Sequence, residues 1–188
     1  MKKKKLLVVV DMQNDFVTGA LKNSDAEKII NNVVKKVQSY EDTEDLVVFT
    51  QDTHFDYNYL DTQEGKHLPV KHCIIETDGW EIIDQLKSYL HGYNIIQKYT
   101  FGSIDVGEMI KFNASLDKFD QVELIGLCTD ICVISNAMVI KAFYPNIPIT
   151  VDAACCAGVT PESHDNALNA MKMIHIDVIN QGEEPWRK

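Results

Sequence analysis

The 188-residue sequence lacks a hydrophobic run of membrane-spanning length, a glycine-rich phosphate-binding turn, an internal repeat and a low-complexity tract. The apolar run nearest the start, LLVVV from Leu6 to Val10, is broken by Asp11 and has no small-residue cleavage site behind it. It suits neither a membrane span nor a secretory signal, so a cytoplasmic protein without a membrane partner is expected. Positive charge is scarce: 18 Lys and Arg against 28 Asp and Glu give a formal net charge of -10. The only dense basic run, Lys2 to Lys5, reads as a solubilising tail before the first strand, and nucleic acid is not an expected partner. Cysteine is present five times, at Cys73, Cys128, Cys132, Cys155 and Cys156, an odd number without regular spacing. That pattern offers no disulfide framework, and in a reducing compartment it leaves thiols, some of which can be reactive.

What is present suits a folded domain. Five prolines, 45% hydrophobic and 24% charged residues are the composition of a globular chain, and the length fits one domain over residues 1–188. LLVVV predicts a strand covered on both faces. SDAEKIINNVVKKVQSY predicts a helix opened by a Ser24–Glu27 capping box, with Ile29, Ile30, Val33, Val34 and Val37 at helical spacing. DLVVFTQ (45–51), NIIQK (94–98), QVELIG (121–126), IPITVDA (147–153) and HIDVIN (175–180) are further strands. Between them lie predicted helices at 80–91, stopped by Gly92, at 104–112, weakened by Gly107, at 131–143, and from Pro161 to about Met173, capped by Thr160. Strand and helix alternate, which predicts an α/β fold, a three-layer α/β/α sandwich around a mostly parallel central sheet. The long polar segment after Gln51 exceeds an ordinary connection and is expected to be functional.

Asp11, Asp52, Lys98 and the Cys128–Cys132 segment fall at or just beyond the C-terminal ends of predicted parallel strands, the edge at which open α/β sheets bind ligands. Cys132, in the first turn of a helix, is placed to form a thiolate. Lys98 would favour its charge and Asp11 would accept its proton. On the residues alone, a packed cysteine in an apolar helix explains Cys132 equally well. Cys128 precedes the helix, where its backbone amide, with that of Cys132, is suited to hold an oxyanion.

The motifs VVVDMQNDF, QKYTFGS and GLCTDICVISNA, in this order and spacing, resemble the isochorismatase-like cysteine hydrolases, especially their nicotinamidase-like members. The resemblance covers nearly the whole chain. It implies Asp11, Lys98 and Cys132 as catalytic residues, Cys128 and Cys132 as the oxyanion hole, and a cis peptide between Leu127 and Cys128. It implies hydrolysis of nicotinamide to nicotinate and ammonia through a Cys132 thioester, as in NAD salvage and pyridine nucleotide biosynthesis. Phe16 is implied as a wall of an aromatic pocket; Tyr99 and Phe101 are further candidates.

Asp52 and His54, in DTH, and His72, in LPVKHC, can hold zinc, manganese or iron, although their spacing alone is no metal signature. The resemblance implies a divalent ion at Asp52, His54 and His72, with zinc the first choice, and with Glu64 or His67 as a further ligand; Cys73, next to His72, is a second-rank choice because adjacent side chains commonly diverge. Leu68 before Pro69, the residue count from Pro69 to His72 and the segment after Lys98 depart from the nicotinamidase pattern. The alternatives are therefore a related small-amide hydrolase acting on an N-carbamoyl or ureido compound, or a non-catalytic binding or redox protein using Cys128 and Cys132. His164 is read as a cap or packing residue, and Cys155 and Cys156 as packing just after the fifth strand. A homo-oligomer is compatible with the sequence.

Overall fold

The computed structural model describes residues 4–116 and 118–187. Lys2 and Lys3 lie outside the described residues, whereas Lys4 and Lys5 begin the first strand rather than a tail. Six parallel strands, β1 (Lys4–Val10), β2 (Leu46–Asp52), β3 (Ile95–Lys98), β4 (Phe119–Leu127), β5 (Ile149–Ala157) and β6 (Asp177–Ile179), form one sheet in the order β3-β2-β1-β4-β5-β6. The order reverses between β1 and β4, and loops leaving these two central strands diverge to open a crevice.

Period-two alternation sends the β1 side chains to two separate cores. Leu7 and Val9 pack with Ile29, Val33 and Val37 of α2 (Ser24–Asp42) on one face. Leu6, Val8 and Val10 pack on the other with Val106 and Ile110 of α4 (Ile104–Ser115), Ala137 and Ile140 of α5 (Ile134–Phe143), and Leu168 and Met171 of α6 (Pro161–Met173). This is the expected three-layer sandwich. Two short helices complete the edge: α1 (Asn14–Val17) and α3 (Gln63–His67). Among the described residues, no helix is long and apolar enough to cross a membrane.

Several local expectations need correction. The cap of α2 is Asn23, not a Ser24–Glu27 box: Asn23 is extended and its side chain accepts the Asp25 amide, while its amide group donates 2.6 Å to the Gly158 carbonyl. The helix expected over 80–91 shrinks to a 3-10 turn, Asp84–Tyr89. Its first residues are diverted to the loop after β1: Asn14 N donates to Glu81 O, Ile83 N to Met12 O, and Gln13 Nε2 to Trp80 O. These groups are unavailable for an α-helix. Strand β4 runs to Leu127 rather than Gly126, and β5 to Ala157, so Cys155 and Cys156 lie within β5 and point into opposite cores. Gly107, unfavourable by propensity, lets α4 and α5 meet: a Cβ there would come within 2.6 Å of the Phe143 ring.

Candidate active site and metal cluster

The C-terminal ends of four neighbouring strands deliver one polar cluster into the apolar crevice. Asp11 leaves β1 with φ 47, a left-handed conformation that an aspartate tolerates at a cost of roughly 1 kcal/mol. Thr50 of β2 holds it there, donating 2.6 Å to Asp11 Oδ1 and accepting the Asp11 amide at 3.2 Å. Lys98, at the end of β3, is buried with its ammonium 2.7 Å from Asp11 Oδ2, 2.9 Å from Asp52 Oδ1 and 3.5 Å from Cys132 Sγ. Among the described residues, Asp11 Oδ2 is buried with no hydrogen-bond partner beyond the Lys98 ammonium beside it, which leaves it capacity to accept a proton.

The electrostatics follow from this geometry. Burial would depress Lys98, but Asp11, Cys132 and Asp52 outweigh it and hold the ammonium charged. Burial raises Asp11 above the usual carboxylate range against the pull of Lys98. Burial, then Asp11, push Cys132 well above an ordinary thiol despite Lys98. Burial and Asp11 thus oppose the thiolate that a helix end alone would favour, while a carboxylate and a cation lie beside the sulfur.

Thr129–Val133 is a π-helical turn, so the α-helix expected over 131–143 starts only at Ile134, as α5. The Leu127–Cys128 peptide is cis, as the resemblance implied. The Cys128 carbonyl accepts the amides of Ile131 and Val133. Asn136 anchors the turn, donating 2.8 Å to the Cys132 carbonyl and 3.1 Å to that of Phe101, and accepting the Ser103 amide at 3.0 Å. Burial pushes the Cys128 thiol up to about 12.

Asp52 joins this cluster to a second one. Its Oδ2 lies 3.0 Å from His54 Nε2 and 3.7 Å from His72 Nε2, while Glu64 Oε1 of α3 lies 3.6 and 3.4 Å from the same two nitrogens. One donor atom from each of Asp52, His54, Glu64 and His72 lies within 4.8 Å of all the others. His72 Nδ1 is engaged by the Val70 carbonyl at 2.9 Å, which turns Nε2 inward as a metal ligand requires. Two carboxylate oxygens and two imidazole nitrogens fit a borderline divalent ion. Burial pushes Asp52 up, but Lys98 and His54 more than reverse this and lower it to about 2. His67 does not join the cluster: it is exposed and its Nδ1 faces the Gln63 carbonyl. Cys73 does not join it either; its amide donates to Asp15 Oδ2 and burial raises its thiol.

A cavity of about 620 Å³ opens over both clusters. Cys128 and Cys132 line it, Asp52, His54, Glu64 and His72 flank it, and Phe16, Leu21, Leu68, Tyr99, Phe101 and Ile131 supply apolar wall. The Phe16 ring lies 5.6 Å from that of His72, and Tyr99 stacks on Phe55 at 6.0 Å.

Sequence reasoning missed Thr50, Gln13 and Asn136. Gln13 accepts the Asp52 amide at 2.7 Å and donates 2.9 Å to the Asp52 carbonyl, clamping the residue shared by the two clusters. Each is a polar residue in or beside an apolar element, which is the signal that was available. His164, expected to cap or pack, is buried and faces Thr129 and Glu184.

Known proteins resemble this chain in sequence and fold. A nicotinamidase of Saccharomyces cerevisiae (strain ATCC 204508 / S288c) is 25% identical, covering 94% of this chain and 100% of the relative. The crystal structure of nicotinamidase/pyrazinamidase PncA from Bacillus subtilis superposes with a TM-score of 0.79 at 28% identity, over 93% of this chain and 98% of that one. N-carbamoylsarcosine amidase from Thermoplasma acidophilum gives 0.74 at 26%, over 93% and 95%. Pyrazinamidase of Pyrococcus horikoshii, solved in complex with zinc, shares the fold with 0.77 at 24%, over 94% and 98%. The model of the isochorismatase domain matches residues 5–183, and the chain belongs to the isochorismatase family.

Proposed function

We propose that this protein is a nicotinamidase-like amidohydrolase that converts a neutral aromatic amide, nicotinamide in the first instance, and water to the acid and ammonia. The observation that carries the reading is the buried Lys98 ammonium in contact with Asp11, Asp52 and the Cys132 sulfur. Asp11 Oδ2 takes the thiol proton as Cys132 Sγ bonds to the amide carbon. The carbonyl electron pair moves onto oxygen, and the amides of Cys128 and Cys132 receive that charge. Asp11 returns the proton to nitrogen, the carbon–nitrogen bond breaks, and ammonia leaves a Cys132 thioester. Asp11 then deprotonates water, which attacks the thioester carbon; the acid departs and the sulfur regains its proton. Lys98 stays charged throughout and offsets the transient thiolate.

Asp52, His54, Glu64 and His72 would hold a divalent ion, for which we take zinc, with iron and manganese as alternatives that the ligand set admits. When bound, the ion supplies a Lewis-acid anchor for a ring nitrogen. Phe16 and Tyr99 would flank that ring, orienting its carboxamide toward Cys132. An N-carbamoyl amino acid or ureido acid carries a carboxylate, yet the described cavity lining has neither arginine nor lysine to pair with it. That charge pattern favours the neutral aromatic amide. The raised Cys128 thiol likewise disfavours a redox pair with Cys132. We take the chain as one cytoplasmic hydrolase domain, in keeping with a family match over most of its length and five unpaired cysteines.

Ammonia release tests this reading directly. Nicotinamide and pyrazinamide should be turned over, with N-carbamoylsarcosine and ureidoacrylate poor substrates; inactivity on every small amide would sink the assignment.

A further inference from the structure

Beneath the π-helical turn, on the side away from the cavity, lies a second polar chain that the proposed reaction does not use. The Thr129 hydroxyl is 2.7 Å from His164 Nδ1, and His164 Nε2 is 3.2 Å from Glu184 Oε1. Thr129, His164 and Glu184 are all 0% exposed, although they come from the turn, from α6 and from the segment after β6. A hydroxyl, an imidazole and a carboxylate in a row have the composition of a nucleophilic triad, but no substrate reaches this hydroxyl. The arrangement is mechanical.

Its proton positions follow from the partners. Glu184 accepts the Gly182 amide at 2.9 Å and pairs with Arg187, so it is ionised and acts only as an acceptor. His164 Nε2 must then carry a proton, and in a neutral imidazole Nδ1 must accept from Thr129. Burial lowers His164 against the pull of Glu184 and Asp165, with Arg187 adding to the lowering, which keeps the ring neutral. Each bond thus has one sense only, and the Thr129 side chain is fixed facing down. Further contacts brace this assembly against β5 and the turn. Trp186 donates to the Cys156 carbonyl at 3.1 Å and sets its ring edge-on to His164 at 5.0 Å. The Val159 amide donates to the Asp130 carboxylate at 3.1 Å. Gly158 lies where a Cβ would come 2.8 Å from the His164 Cβ, so its lack of a side chain permits the close approach.

We infer that His164 is a positioning residue for the nucleophile turn, acting through Thr129 and held in turn by Glu184, so that the segment after β6 latches the Cys128 carbonyl, and through it the turn that presents Cys132, in place. Thr129 follows Cys128 directly, and anchoring its side chain fixes the peptide plane between them. The Cys128 carbonyl in that plane receives the Ile131 and Val133 amides and so sets the turn that presents Cys132. The kinetic part of the inference rests on the proposed cysteine chemistry; the geometric part does not.

The test compares Thr129→Val, Thr129→Ser and Glu184→Ala with the wild type, each assayed where circular dichroism shows it folded. Three quantities are read: kcat and KM for nicotinamide, and the rate of Cys132 alkylation by iodoacetamide. Loss of the anchor should lower kcat about tenfold or more and change the alkylation rate, with KM within about twofold. Thr129→Ser, which keeps the hydroxyl, should restore both. Wild-type kcat and alkylation in Thr129→Val, or a Thr129→Ser as impaired as Thr129→Val, would overturn the inference. Should Thr129→Val not fold, wild-type kcat and alkylation in Glu184→Ala would overturn it equally, and their joint change would support it. If the wild type hydrolyses no amide, the functional reading fails while the alkylation rates still decide the positioning role.

Discussion

Asp52 faces Lys98 with one carboxylate oxygen, at 2.9 Å, and His54 with the other, at 3.0 Å. One side chain thereby joins the nucleophile's cation to the candidate metal cluster. Asp52→Asn keeps the shape but removes the charge both neighbours use. Bound divalent metal, measured by elemental analysis after dialysis, should fall about tenfold or more, and kcat/KM should fall with it. Full metal content in this variant would remove Asp52 from the ligand set.

Cys132→Ala should retain the fold and abolish turnover, a loss of about a thousandfold or more in kcat. Mass spectrometry of quenched wild-type reactions should detect an acyl group on Cys132. Asp11→Asn should lose activity to a comparable degree, because the group beside the thiol can no longer take its proton. Activity near wild type in either variant contradicts the proposed chemistry.

Chelation supplies an independent check on the cluster. His72 is pulled down by burial but raised more strongly by Glu64, Val70 and Asp52 together, so protons compete for it with metal above the ordinary imidazole range. Dialysis against a chelator should remove metal and activity faster at pH 6 than at pH 8, with zinc restoring both. Activity that persists in demonstrably metal-free protein would leave the cluster without a catalytic part.

Acid stability should report the latch beneath the turn. The folded pKa of His164 lies below its ordinary 6.5, so between these values the unfolded chain binds a proton that the folded chain refuses. Stability is then full above about pH 6.5 and falls as pH drops. Burial would raise Glu184, but Arg187 and backbone amides hold it below its ordinary 4.5; Arg187 does the same for Asp165 below 3.8. Their contributions are present above those values and lost at lower pH, in the same direction. Thermal melts from pH 7 to 5 should show a falling midpoint in the wild type and a flatter profile in His164→Gln. Parallel profiles would remove His164 as the source.

Gly107→Ala tests packing against propensity. Alanine in a helix gains about 1 kcal/mol over glycine, yet its Cβ would approach the Phe143 ring to 2.6 Å and Val139 to 2.9 Å. Overpacking of this kind costs about 1–3 kcal/mol, so the variant should be net destabilised in urea unfolding. A stabilised variant would mean that α4 and α5 separate readily.

The strands were legible because a buried parallel sheet demands uninterrupted runs such as Leu6 to Val10, and the candidate site was legible because its charged ends break those runs at Asp11, Asp52 and Lys98. The resemblance then separated Cys132 from Cys128 clearly, which spacing alone left hard to tell apart. What stayed hidden depends on contacts between segments distant in sequence. Trp80 to His91 has a helical pattern, but the loop after β1 takes its first backbone groups. Thr50 looks like a strand residue until Asp11 is folded over it, 39 positions away. His164 had no visible partner because Thr129 and Glu184 lie 35 and 20 residues from it.

The strand order β3-β2-β1-β4 also has a practical use. Divided between α4 and β4, the chain would leave Asp11, Asp52 and Lys98 on one fragment and Cys132 on the other. Within the sheet, the two fragments pair only along the β1–β4 seam, where Val8 lies beside Leu124 and Val10 beside Gly126. Neither fragment alone would hydrolyse an amide, and ammonia production would return only when that seam closed, making the protein a natural starting point for a split-enzyme reporter.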